Sequence, residues 1–103
     1  MEKQFRMLLA FALKKQASDI HMILKEGKLQ ICLRTDQGDR QIRQDLFDHR
    51  LLEYLKFVSG MDLCAKWEPQ SGSMETVING RKISCRFSLI AAGDITTGVV
   101  RLL

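Results

Sequence analysis

One proline, one tryptophan, one tyrosine and two histidines are all that this 103-residue chain holds of those types, and each scarcity excludes something. Its three cysteines, at 32, 64 and 85, are odd in number, fall in separate predicted elements and form no Cys-x-x-Cys. Reduced thiols are expected, not a disulfide framework. A zinc clip is not expected either, since only His21 and His49 could join the cysteines and no spacing resembles a metal site. No apolar run approaches the ~20 residues that cross a bilayer, and no charged start, apolar stretch and small-residue cleavage site make a secretory signal. A P-loop is missing, because Gln70-Ser71-Gly72-Ser73 has neither its glycine spacing nor its lysine. Charge of one sign is modest too. A net +4, carried by scattered residues such as Lys14-Lys15, Arg40, Arg43, Arg50 and Arg81-Lys82, permits an anionic partner without demanding one.

What is there is patterned. The apolar fraction of 46% and charged fraction of 27% are those of a globular domain, and one domain of this length buries roughly two-thirds of its unfolded surface. The organising stretch is Ala17-Ser18-Asp19-Ile20-His21, where the period changes. Before it, Phe5, Leu8, Leu9, Ala12 and Leu13 make the stripe of an amphipathic helix over residues 3–16. After it, Ile20, Met22 and Leu24 alternate as along a half-buried strand over 19–25, with Asp19 and His21 on the other phase. A turn at Glu26-Gly27-Lys28 leads to a second strand with Leu29, Ile31 and Leu33 on one side and Arg34 on the other. Residues 36–39 read as a turn and 40–43 as a short third strand.

The second half repeats the logic. Phe47, Leu51, Leu52, Leu55 and Val58 form a second helical stripe, with Asp45 or Asp48 as a candidate cap and Gly60 at the helix end. Residues 61–67 are ambiguous, with one further helical turn as one reading, and residues 68–73 break all periodicity. Asn79-Gly80 between 74–78 and 82–89 signals a type I′ hairpin whose second arm turns Ile83, Cys85, Phe87 and Leu89 inward. Residues 91–97 read as a loop and 98–103 as a last strand. The chain closes in mid-strand on Leu102-Leu103, so a piece of a longer protein is expected. The sum is an α+β domain of two helices on a largely antiparallel sheet of about six strands.

No catalytic constellation emerges. Cys32, Cys64 or Cys85 would need His21 as a base, and nothing in the spacing brings them together. Asp19 and His21, two apart on a strand, read either as a metal or acid/base pair or as a corner carboxylate bonded to backbone N–H groups beside a surface histidine. Arg34, Arg86 and Arg101 all occupy polar-phase positions. They read either as rim charges or as a phosphate-contacting surface, since guanidinium is always charged and fork-shaped.

Several motifs in order carry a family resemblance. Ala17-Ser18-Asp19-Ile20-His21 after an amphipathic helix resembles the A-S-D-I-H signature of the N-terminal domain of type II secretion and type IV pilus assembly ATPases. Arg34-Thr35-Asp36 resembles the family's R-[IV]-D-G, and Lys56 to Gly60 its K-x-x-x-G. Pro69-Gln70-Ser71-Gly72 resembles P-Q-x-G-R, Arg86-Phe87-Ser88 resembles R-[VI]-S, and Val99-Val100-Arg101-Leu102-Leu103 resembles V-V-[LM]-R-L-L. The resemblance departs at Cys32, where a second arginine is frequent, and at Gln37, Ser73, Ala91 and Ile95-Thr96.

The resemblance implies a PAS-like module that precedes a RecA-like ATPase domain expected after residue 103, in a homohexamer. Arg34, Arg86 and Arg101 would reach nucleotide phosphates across a domain or subunit interface. Asp19 and His21 would hold the helix–strand corner, and Pro69, Gln70 and Gly72 would form a structural turn. This fragment would carry no catalytic residue, metal or cofactor, and the parent would use ATP and Mg. Its partners would be its own motor domain, neighbouring subunits and an inner-membrane platform protein, at the cytoplasmic face of the membrane, with no nucleic acid bound directly. The start at Met1, just ahead of the first helix, is more like the competence-pilus ATPases of Gram-positive bacteria, which serve DNA uptake. The alternative is a standalone basic module binding nucleic acid or a protein.

Overall fold

The N-terminal stripe becomes helix α1, Glu2–Lys14, which buries Phe5, Leu8, Leu9 and Ala12. This is a computed structural model, and it describes residues 1–42, 46–61 and 70–103. Helix α1 stops two residues earlier than its periodicity suggests. Gln16 turns left-handed at φ 57°, and the N–H groups of Gln16 and Ala17 donate back to Leu13 and Ala12 carbonyls at 3.0 Å each, a Schellman ending. Lys14 lies in the last turn, near the negative end of the helix dipole. Lys15 sits over the Phe11 ring, 5.6 Å from its centroid.

Strands β1, Asp19–Lys25, and β2, Lys28–Thr35, follow their alternation, joined by Glu26-Gly27 with φ 53° and 73°. Strand β3, Gly38–Ile42, begins two residues before the expected start, and its expected end at Arg43 lies outside the described residues. Helix α2, Leu51–Val58, buries Leu51, Leu52, Leu55 and Lys56. Phe47 lies ahead of it half-buried, and Val58 is exposed. Arg50, not an aspartate, holds the N-cap position and makes no side-chain cap. Asp48 acts before the helix, accepting the Arg50 N–H at 2.8 Å and pairing with its guanidinium at 2.8 Å in an Asx-type turn. The Asp45 alternative lies outside the described residues. At the other end Gly60, φ 78°, closes a second Schellman ending as Met61 N–H donates to the Lys56 carbonyl at 3.0 Å.

Strand β4, Gln70–Ile78, corrects the reading of residues 70–73 as irregular. Those small polar residues pair in register with β5, Arg81–Ala92. The hairpin turn is Asn79-Gly80 with φ 52° and 76°, type I′ as its sequence indicates. The end of β5 and the start of strand β6, Ile95–Leu102, replace most of the expected loop over 91–97. Ala92 pairs with Ile95 around a two-residue turn at Gly93-Asp94.

The sheet is antiparallel throughout, in order β3-β2-β1-β6-β5-β4, so two three-stranded meanders are fused through β1 and β6. This α+β architecture is the expected one and is compatible with a PAS-like description. The inward phase of β1, β2, β5 and β6 joins α1 and α2 in one apolar cluster that includes Ile20, Leu33, Phe87 and Val100. Among the described residues no helix is long and apolar enough to cross a membrane.

Candidate functional site

Since neighbouring strands pair in register, one residue on each strand falls on a common line across the sheet. One such line runs Asp39 on β3, Arg34 on β2, Asp19 on β1, Arg101 on β6, Arg86 on β5 and Ser73 on β4. Residues directly opposite on adjacent strands have Cβ atoms about 4.5–5.5 Å apart and share a face. The neighbouring line, Leu33, Ile20, Val100 and Phe87, is buried under the helices, so the arginine row lies on the open face. The sequence placed these arginines in the polar phase; the strand order puts all three on one line.

Asp19 sits at the middle of this row and is 4% exposed, although its neighbours Arg34, Arg101 and Arg86 are exposed. Its carboxylate accepts the Ser18 hydroxyl at 2.8 Å and the Arg101 Nε–H at 3.1 Å. These are side-chain donors, not the backbone N–H groups expected of a corner carboxylate. Burial pushes the Asp19 carboxyl up, but the Ser18 hydrogen bond and the Arg101 guanidinium, with His21 adding to them, outweigh it and hold the pKa below the usual carboxylate range. The corner itself is held by main chain: Ser18 N–H donates to the Arg34 carbonyl at 2.9 Å, and Leu102 N–H to the Ser18 carbonyl at 3.0 Å.

Among the described residues Arg34 and Arg86 make no ion pair. Arg86 stands directly opposite Arg101, a like-charge cross-strand pair that opposes folding. His21 lies half-buried on the next line of the same face, opposite Cys32 on one side and Val99 on the other. Nothing in the spacing brings His21 and Cys32 together; the β1–β2 register does so. Among the described residues no group of three or more His, Cys, Asp or Glu could hold a metal ion. Cys85 faces the core, where burial raises its thiol pKa to about 11; Cys64 and Trp67 lie outside the described residues.

The proposed turn residues do not join the row. Gly72 belongs to the inward phase of β4, opposite Phe87. A Cβ there would collide with the Ser59 carbonyl oxygen and stand 2.9 Å from the Ser59 Cβ, so its role is to admit the end of α2. Gln70 pairs with Leu89 in the register, and Pro69 lies outside the described residues. A depression of about 320 Å³ beside the row, lined by Ser71, Ser88, Ile90, Thr97 and Val99 among others, was not legible in the sequence.

A family model described as "Type II/IV secretion system protein" matches residues 1–103. The chain belongs to this family. It is 35% identical over 98 residues to type II secretion system protein E of Klebsiella pneumoniae, covering 93% of the chain and 20% of that protein. It is 28% identical over 105 residues to competence protein ComGA of Bacillus subtilis, covering 100% of the chain and 30% of that protein. Against type II secretion system ATPase E of Vibrio cholerae it is 30% identical over 103 residues, covering 98% of the chain and 20% of the relative. The chain thus spans about a fifth to a third of the curated relatives it matches. Those relatives carry the names secretion system protein, competence protein and ATPase, and the chain aligns with one part of each.

Proposed function

We propose that this domain is the N-terminal regulatory part of a hexameric secretion or competence traffic ATPase, and that its open sheet face meets nucleotide phosphates held by the motor domain of the same or a neighbouring subunit. The observation that carries the reading is the row itself: Arg34, Arg101 and Arg86 on one line of an exposed face. Guanidinium donors match phosphate oxygens in charge and geometry. In this reading the fragment binds charge and leaves the reaction to the motor. ATP and Mg belong to that motor. Arginines delivered as the interface closes stabilise charge on the transferring phosphoryl group. The same contact ties nucleotide state to domain rotation, which drives a membrane platform protein from the cytoplasmic side.

The alternative of a nucleic-acid module lacks a stacking platform. Among the described residues no aromatic side chain belongs to the outward phase of the sheet, and Phe87 is buried.

The test is steady-state ATP hydrolysis by the full-length parent protein carrying Arg34→Ala or Arg86→Ala. Each is expected to lower kcat by about tenfold or more, as loss of a transition-state charge contact does, with the melting temperature unchanged within about 2 °C. The fragment alone is expected to hydrolyse no ATP above background. Wild-type turnover in both variants overturns the reading.

A further inference from the structure

We propose that Asp19 is a positioning residue for Arg101: it takes the Nε–H of that guanidinium and leaves both Nη groups free for phosphate. The proposal rests on the nucleotide-contact reading above and assigns unequal roles within the row.

Asp19 has an arginine in register on each side, Arg34 on β2 and Arg101 on β6, yet it bonds one. Its Oδ2 is taken by the Ser18 hydroxyl at 2.8 Å, and Oδ1 accepts Arg101 Nε–H at 3.1 Å. Ser18 is in turn fixed by main-chain bonds to Arg34 on β2 and Leu102 on β6. The carboxylate is therefore oriented before any ligand arrives. Its side chain is 6% exposed, against 66% for Arg101, so a buried acceptor grips the root of an exposed guanidinium.

Use of Nε leaves the outer edge of the guanidinium, with its Nη donors, available for bidentate recognition. A free arginine loses rotamer freedom when it meets a phosphate; Arg101 has lost part of it already. The neighbouring carboxylate also weakens its net pull on an anion. Arg101 thus contributes geometry more than affinity, while Arg34 and Arg86, without ion pairs among the described residues, contribute charge. Positioning of this kind acts on kcat rather than KM.

The experiment is a double-mutant cycle on ATP hydrolysis by the full-length parent protein, at a temperature where melting curves show every variant folded. Asp19→Ala is expected to lower kcat about tenfold with KM changed less than about twofold. Asp19→Asn keeps a carbonyl acceptor for Nε and is expected to restore most of the loss. Asp19→Ala combined with Arg101→Ala is expected to be no worse than Arg101→Ala alone. If Asp19→Ala does not fold, Ser18→Ala, which frees Oδ2, carries the same test with a loss of about two- to fivefold. Additive losses, or wild-type kcat in folded Asp19→Ala, overturn the proposal. A silent Arg101→Ala beside damaged Arg34→Ala and Arg86→Ala overturns the positioning role alone. If all three arginine variants are silent, the nucleotide-contact reading falls with it.

Discussion

Cys85 lies opposite Leu102 on one side and Met74 on the other, with no exposed surface. Burial lifts its pKa from the ordinary 9.0 to about 11. The sign of the consequence follows from proton counting. Below pH 9 both folded and unfolded chains hold the thiol proton; above it the unfolded chain releases the proton and the folded one keeps it. Stability is therefore lost as pH rises from about 9 toward 11, by about 2 kcal/mol across the window. Urea midpoints of this chain between pH 8 and 10.5 are expected to fall more steeply than those of Cys85→Ala, whatever that variant loses to its cavity at neutral pH. At this scale the sequence was informative about phase and silent about partners. The inward run Ile83, Cys85, Phe87, Leu89 is read from alternation alone, and all four are buried. The Arg101–Asp19 bond joins residues 82 apart, and only the fusion of β1 to β6 brings them together.

The end of α2 and the start of β4 depend on each other. Ser59, 9% exposed, donates its hydroxyl to the Leu55 carbonyl at 2.6 Å, and its own carbonyl occupies the space a side chain at position 72 would take. Gly72→Ala must push the two elements apart, and overpacking of this kind costs about 1–3 kcal/mol. Ser73→Ala, one residue on and exposed, is expected to stay within about 0.5 kcal/mol; thermal melts of the two variants check the contrast. The same contact explains why the pattern shows the hairpin arm at 74–78 but not the first four residues of β4. Gln70, Ser71, Gly72 and Ser73 carry no alternation because the inward position must be empty for α2 and the outward ones face solvent. The end of β5 and the start of β6 escape the pattern for a related reason: Ala91 and Ala92 are too small to mark a phase, and Thr96 and Thr97 are polar on both faces. Where large apolar residues do alternate, the pattern suffices: β1 spans the expected 19–25, and β2 turns Leu29, Ile31 and Leu33 to its buried side.

Among the described residues both helices pack on one face of the sheet, and the other face gathers Arg34, Arg86 and Arg101. The net +4 of the chain gave no hint of this, because its basic residues are scattered in sequence and only the register collects Arg34, Arg86 and Arg101. Arg86 faces Arg101 directly and makes no ion pair among the described residues. Relief of such a like-charge pair is worth about 0.2–1 kcal/mol. Arg86→Gln is therefore expected to raise the stability of this chain by that order at low salt, and the gain is expected to vanish near 1 M salt, where screening shortens to about 3 Å. Denaturant melts at two ionic strengths measure it. Inorganic tripolyphosphate is expected to reverse the order, stabilising the wild-type chain more than the variant, since an anion that binds only the folded row adds its binding free energy to stability. A charge that weakens the isolated domain and strengthens it once polyphosphate is present is held there for a partner. A variant with unchanged stability at low salt and the same response to tripolyphosphate would leave Arg86 an ordinary solvated side chain.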